Sequence, residues 1–263
     1  MATKPQKPVL AEGLDQDEKY RAPALDKGLD ILEILANQSG GMTRTEIVRE
    51  MGLSPSQIFR MLERLVARGY VARSEGGDRY SLSMKMFLLA NRYPPYRRLV
   101  ASAQPLMDDF ARQTDQSCHL VIPEFGTGLI VAQASPTSHW EFRARVGSQL
   151  ELFTTGSGIT LIAFQAPERL DETLKQWGVA SPKLLQGATG DEIDAVRRQG
   201  YRIGASGQLV GVTDISAPIL GPHGDATSVV TCAFIEHVDD KRAQKLDEAL
   251  ARLLTLTEAL SLH

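Results

Sequence analysis

Residues 43–73 read TRTEIVREMGLSPSQIFRMLERLVARGYVAR, and the punctuation of this stretch decides the fold of the N-terminal part. Thr43 with Glu46 three residues on forms a capping box, in which the hydroxyl caps a backbone N–H and the carboxylate reaches back. A short helix follows, with Ile47, Val48 and Met51 apolar and Gly52 closing it. Ser54-Pro55 marks a second start, Ser54 as N-cap and Pro55 at the first helical position. Ile58, Met61, Leu62 and Leu65 give this helix an inward stripe, and Ser56, Gln57, Arg60 and Arg64 fall on its outer face. Beyond Gly69, strand-like Tyr70–Arg73 and Arg79–Leu82 flank the turn-rich run Ser74-Glu75-Gly76-Gly77-Asp78. Upstream, Leu25, Leu29, Leu32 and Leu35 follow Pro23 at helical spacing until Ser39-Gly40-Gly41. Helices followed by a β-hairpin in this order predict a winged helix-turn-helix over residues 21–82.

Such a motif reads DNA by laying its second helix in the major groove, with N-terminal side chains against base edges. Ser54, Ser56, Gln57 and Arg60 stand where that contact falls, and Arg64 shares their outer face. Gln pairs bidentately with adenine and Arg with guanine. Thr43 and Arg44 open the preceding helix, where a hydroxyl, backbone N–H groups and a guanidinium suit a phosphate. Arg73 and Arg79 on the hairpin can grip the DNA backbone or minor groove. Charge points the same way: Met42–Arg98 carries eleven basic against five acidic residues in a chain whose net charge is −3. The competing reading is a winged helix used only for dimerisation or protein contact.

The rest of the chain changes character. Ser83–Tyr93 is helical in pattern and is stopped by Pro94-Pro95, which predicts a linker helix within 83–95. Tyr96–Thr114 is an amphipathic helix. Cys118–Phe125, Leu129–Ala134 and His139–Val146 are strand-like, the third alternating Trp140, Phe142, Ala144 and Val146 with Glu141, Arg143 and Arg145. Helices are expected from Thr154 through Phe164 and over Pro167–Trp177, then from a second capping box at Thr189–Glu192 to Gly200. Strands follow at Tyr201–Ser206, Thr213–Ile219 and Thr227–Ile235, and a last helix at Asp239–Leu260. Residues 96–263 thus form an α+β domain with an antiparallel sheet and flanking helices.

Composition narrows the function classes. With 263 residues and 43% hydrophobic content the chain buries a proper core. No apolar run approaches the roughly 18–20 residues that span a bilayer, so no membrane partner is expected. Lys4 and Lys7 are followed by no apolar stretch, so residues 1–20 read as a flexible arm and not a signal peptide. Cys118 and Cys232 belong to no CxxC pair, which suits a reduced cytoplasm, and each reads as a small buried residue on a strand. A redox switch through the two is a weaker alternative.

In sequence order, residues 24–36 (ALDKGLDILEILA), 43–73, 79–90 (RYSLSMKMFLLA), 103–122 (AQPLMDDFARQTDQSCHLVI), 146–164 (VGSQLELFTTGSGITLIAF), 196–201 (VRRQGY) and 211–224 (GVTDISAPILGPHG) resemble the IclR family of bacterial transcriptional regulators. The resemblance implies a winged helix-turn-helix, a linker helix and a GAF-like domain that binds a small organic effector. It also implies a homodimer or dimer of dimers on a double-stranded, pseudo-palindromic DNA operator. Ser56, Gln57 and Arg60 match the family's recognition helix, and Thr155, Gly156, Ser157 and Gly158 its turn before the pocket helix. Asp214 falls where many members carry a cysteine. Thr231 matches the first of a common Ser-x-Ser pair whose second position here is Ala233. Ser206-Gly207 replaces a frequent acidic pair. These departures imply an effector other than a small keto acid.

The residues point to a pocket on their own as well. Thr154–Gly158 sets hydroxyls and free N–H groups at a helix start, suited to a carboxylate-bearing effector or to ordinary capping. Asp214 interrupts the apolar strand GVTDISAPI and needs a polar surrounding. Ser216, on the same strand, joins the candidates. His119 lies on a strand, where a structural histidine is the plainer reading. The candidate effector residues are therefore His119, Thr155, Gly156, Ser157, Asp214, Ser216 and Thr231.

Enzyme motifs fail. Gly156-Ser157-Gly158 lacks the outer glycines of GxSxG, Gly126-Thr127-Gly128 sits in a hairpin, and the histidines show no metal-ligand spacing. No catalytic residue, metal or cofactor is expected. A methyltransferase with a winged-helix domain is the alternative, and it requires a GxGxxG after a strand in the second half, which is missing.

Overall fold

The computed structural model describes residues 22–90, 92, 94–137, 141–179, 188–236 and 242–262. The expected arm, residues 1–20, lies outside them. The chain divides into two compact units, Met1–Arg97 and Arg98–His263.

In the first unit, α1 (Pro23–Ala36), α2 (Arg44–Met51) and α3 (Pro55–Ala67) enclose Ile31, Leu35, Ile47, Ile58 and Leu62, all buried. Each such side chain stabilises the fold by about 1.5–3 kcal/mol through the apolar surface it removes from water. The Thr43 box forms in both directions: Glu46 N–H donates to Thr43 Oγ1 at 3.3 Å and Thr43 N–H to Glu46 Oε2 at 2.7 Å. Gly52 closes α2 with φ 63°, a left-handed turn that lets the chain reverse into α3. Beyond the helices, β2 (Val71–Arg73) and β3 (Arg79–Leu82) form the hairpin. A two-residue strand too short for sequence periodicity, β1 (Met42–Thr43), adds to β3 and gives the order β1-β3-β2.

The helix expected over Ser83–Tyr93 is shorter: α4 spans Lys85–Ala90. The Ser83 hydroxyl accepts from Lys85 N–H at 3.1 Å and donates to Gly69 C=O, so Ser83 caps the helix from outside it. Residues 91 and 93 are outside the described set. Pro94-Pro95 does not act as a stop. It opens α5 (Pro94–Thr114), because the first helical turn needs no N–H from its own residues.

In the second unit a six-stranded antiparallel sheet runs β6-β5-β4-β9-β8-β7. Its strands are β4 (Cys118–Glu124), β5 (Thr127–Ala134), β6 (Gln149–Glu151), β7 (Arg202–Ala205), β8 (Thr213–Leu220) and β9 (Ala226–Phe234). On one face lies α6 (Gly156–Ala163), every residue of it buried, with α7 (Leu170–Gln176) and α8 (Ala188–Gln199) around it. The other face carries α5 and α9 (Arg242–Leu260). Both units together make an α+β chain.

Other expectations shift locally. The strand at His139–Val146 does not form: residues 141–145 are irregular, and 138–140 are not among those described. Alternation alone does not make a strand without a partner. The edge of β5 is taken instead by Gly147-Ser148 and β6, through Gly147 N–H to Ile130 C=O and Ile130 N–H to Ser148 C=O. Pro167–Trp177 splits into a 3-10 turn, Pro167–Arg169, and α7. Since α8 starts at Ala188, Thr189 is inside the helix and not at its cap, and Glu192 serves Arg202. Residue 239, the expected start of the last helix, also lies outside the described set.

Candidate DNA interface and effector site

The outer face of α3 shows Ser56, Gln57, Arg60 and Arg64 to solvent while Ile58 and Leu62 face inward. Among the described residues Arg60 and Arg64 form no ion pair. Gln57 is engaged: its Oε1 accepts from Ser54 N–H at 3.3 Å. The Ser54 hydroxyl meets that of Ser56 at 3.3 Å. Ser54 thus holds the N-cap position, but the cap bond comes from Gln57. At the start of α2 the Arg44 guanidinium lies 5.5 Å from the ring centroid of half-exposed Phe59 on α3, a contact the sequence did not suggest. The wing arginines are braced too. Arg73 donates to Gly77 C=O at 2.7 Å and stacks over Tyr80, and Arg79 lies 3.6 Å from Glu46 and reaches Gly40 C=O at 3.4 Å. Glu46 is held below the usual carboxylate range, first by the Thr43 backbone N–H.

The second cluster lies under α6. Cross-strand pairing sets His119 of β4 opposite Thr231 of β9, Thr231 opposite Ser216 of β8, and Ser216 opposite Arg202 of β7. Directly paired residues point to one face of a sheet, so these four make a polar row across the strands. Asp214, two residues from Ser216, shares the face. The row meets α6 through hydroxyls: Ser157 Oγ to Thr231 Oγ1 at 2.7 Å, and Thr231 Oγ1 to Ser216 Oγ at 2.9 Å. Thr155 caps α6, accepting from Gly158 N–H at 3.2 Å and donating to Glu151 C=O at 2.6 Å. Six of the seven residues expected at an effector site, His119, Thr155, Ser157, Asp214, Ser216 and Thr231, are buried polar groups, and Gly156 opens the helix among them.

Arg202 was not among them. Its side chain is only 10% exposed, and its Nε donates to Glu192 Oε1 at 2.8 Å. Its Nη1 is buried with no hydrogen-bond partner. Gly156 lets it approach: a Cβ there would lie 3.0 Å from Arg202 Nη1, 3.0 Å from Ser216 Oγ and 3.1 Å from Asp214 Cβ. A charge between Tyr201 and Ile203 in a short strand was the available signal, but only the register with Ser216 shows which face it takes. Burial raises the Asp214 pKa, while the Ser206 hydroxyl and the Arg202 cation pull it back. Burial lowers His119 to about 4, so its imidazole is neutral near pH 7 and Arg202 is the cation of this cluster.

Cys118 and Cys232 are paired residues on β4 and β9, in the alternate register to His119 and Thr231 and so on the opposite face. Both are buried, and burial pushes both thiols up, away from the reactive thiolate. That fits packing and disfavours a redox switch.

Residues 95–261 match the family model of the bacterial transcriptional regulator IclR C-terminal domain, and residues 24–75 match the IclR helix-turn-helix domain. The chain belongs to the IclR family. It is 26% identical over 227 residues to the HTH-type transcriptional regulator BhcR of Paracoccus denitrificans, covering 84% of this chain and 80% of that one. The IclR structure from Thermotoga maritima is similar in fold, with a TM-score of 0.70 at 20% identity over 90% of this chain and 96% of that one. So is an IclR homologue from Microbacterium hydrocarbonoxydans complexed with 4-hydroxybenzoate, with a TM-score of 0.67 at 21% identity over 90% of this chain and 99% of that one. These relatives are transcriptional regulators or share their fold, and none is named as an enzyme. As an IclR-family chain it pairs a DNA-binding helix-turn-helix with the family's effector-binding type of C-terminal domain. Among the described residues no helix is long and apolar enough to cross a membrane.

Proposed function

We propose that this protein is a sequence-specific transcriptional regulator whose grip on a pseudo-palindromic operator is controlled by a small organic effector. Residues 21–82 read the operator, 83–95 link, and 96–263 receive the effector. The observation that carries the reading is the face of α3, where Ser56 and Gln57 in the first turn, Arg60 at mid-helix and Arg64 in the last turn stand exposed while the opposite stripe packs the core. Ser54, Ser56, Gln57 and Arg60 face base edges; Thr43, Arg44 and Arg64 serve phosphates, and Arg73 and Arg79 the DNA backbone or minor groove. Gln57 must leave its cap on Ser54 to do so, and DNA contacts must offset that loss. The 4-hydroxybenzoate complex of a fold neighbour supports an organic acid as effector.

Self-association as a homodimer or dimer of dimers is supported by large apolar side chains left exposed, Leu25 and Leu29 on α1 and Met86, Phe87, Leu88 and Leu89 on α4. Two recognition helices then meet half-sites about 34 Å apart. An effector matters only if it prefers one dimer arrangement, and a coupling of about 1–3 kcal/mol changes operator affinity roughly 5- to 150-fold. The work is done on DNA, in the cytoplasm.

The test is fluorescence anisotropy with an operator duplex selected from a random pool. Gln57→Ala and Arg60→Ala should each cost about 1–3 kcal/mol in specific affinity and much less on random DNA. Unchanged operator affinity in both variants overturns the assignment.

A further inference from the structure

We propose that Arg202 is the anion-receiving residue of the C-terminal domain, its Nη1 donating to a carboxylate oxygen of a small organic acid beside the Ser216 hydroxyl. This deepens, and rests on, the effector reading above. The guanidinium is always charged and carries five N–H donors in a fixed fork. One edge is satisfied, because Nε donates to Glu192 at 2.8 Å. The other is not: Nη1 is buried with no acceptor, inside a domain whose other buried polar groups are mostly paired. Asp214, the nearest carboxyl on the polar row, does not fill that gap, since it makes no hydrogen bond to Nη1.

The surroundings favour a small anion over a neutral guest. His119 is neutral, Thr231 is committed to Ser157 and Ser216, and the cation on the polar row is Arg202. The space is narrow. Arg202 Nη1, Ser216 Oγ and Asp214 Cβ all stand 3.0–3.1 Å from where a single methyl on Gly156 would lie. An acid must therefore draw the guanidinium away from Gly156, and a bulky group cannot stay between them. β7 is the edge strand of the sheet, and Arg202 stands at the end of the polar row nearest that edge. Glu192, its side chain 39% exposed, competes for the same guanidinium from the solvent side.

The experiment is isothermal titration of the full-length protein with glycolate, pyruvate, benzoate and 4-hydroxybenzoate, each beside its primary amide. At least one acid should bind, with its amide at least tenfold weaker. Arg202→Gln should weaken that acid at least tenfold. Glu192→Gln, which removes the competing carboxylate, should tighten it. The inference fails if no acid binds the native chain, if the amides bind as well as the acids, or if Arg202→Gln keeps native affinity. It also fails if Glu192→Gln weakens binding as Arg202→Gln does, since Arg202 would then be only half of a structural pair. Acid binding that depends on Arg202 but leaves operator anisotropy unchanged overturns effector control and leaves this assignment standing.

Discussion

On α3, Arg60 and Arg64 stand in solvent on a helix whose other face is packed; on β7, Arg202 lies under α6 with a side chain 10% exposed. The exposed pair keeps its hydration in the free chain, and in the proposed function it would meet a polyanion and displace counterions. The buried cation has lost water and needs local acceptors, so it is sensitive to one missing oxygen. On the proposed function, the first site would recognise by what it adds on contact, the second by what it lacks. Substitutions at Arg60 and Arg64 should therefore act on binding alone, and those at Arg202 on fold and binding together.

Glycine offers the strongest way to break that contrast. At Gly158 a Cβ would lie 2.3 Å from the Leu152 carbonyl oxygen and 2.4 Å from its Cα, and backbone cannot yield as a flexible side chain does. Gly158→Ala should cost about 3 kcal/mol or more, by forcing α6 away from the Leu152 turn that leads into it. At Gly52 nothing lies within 4 Å of the added carbon, and only φ +63° resists it. Gly52→Ala should cost about 1–2 kcal/mol. Urea denaturation of both variants checks this, and equal losses would dissolve the distinction between the two units.

Protonation is a gentler probe of the same burial. His119 titrates at about 4 when folded against about 6.5 when unfolded, because burial opposes its charged form. Between those values the unfolded chain binds the extra proton. The stability His119 contributes is thus complete above pH 6.5 and is lost as pH falls toward 4. From pH 7.5 to 5.0 the loss is about 2 kcal/mol, at roughly 1.4 kcal/mol per pH unit below 6.5. Urea midpoints at the two pH values should separate by that much more in the native chain than in His119→Gln. An identical pH slope in the variant would mean that the imidazole is hydrated.

Much of this contrast is legible in the sequence, though unevenly. Capping and helical stripes are local, so Thr43–Glu46, Ser54-Pro55 and Ile58/Leu62 locate the helix-turn-helix through near neighbours in the chain alone. The hydroxyls of Thr155, Ser157, Ser216 and Thr231 are marked by type and by resemblance; the sheet register pairs Ser216 with Thr231, and α6 sets Ser157 onto Thr231. Arg202 is hidden, because its burial depends on Gly156, a helix start 46 positions earlier in the chain, and on its pairing with Ser216. The failed strand at His139–Val146 has the same origin. Period-two alternation describes one chain, whereas strands need a neighbour, and β6 has already taken it.

The smallest expected effect comes from the wing, and it sharpens what exposure means. Arg79 is bonded as well as exposed, with its Nη1 3.6 Å from Glu46 Oε2 and its Nε reaching Gly40 C=O at 3.4 Å. Exposed pairs of this kind are worth about 0–1 kcal/mol, so Arg79→Ala should leave stability within about 0.5 kcal/mol of the native chain. If the wing arginine meets a phosphate, its loss removes one counterion-releasing contact. The slope of log affinity against log salt should then become shallower by about 0.9 on specific and random duplexes alike, with little change in sequence preference. Arg73 differs, since its bond to Gly77 C=O and its stacking on Tyr80 shape the hairpin itself, so Arg73→Ala should also lower the melting temperature. Anisotropy titrations across a several-fold range of salt, run beside thermal melts, separate the two roles. A native salt slope in Arg79→Ala would confine that residue to bracing the wing against α2 and leave the phosphate contacts to the helices.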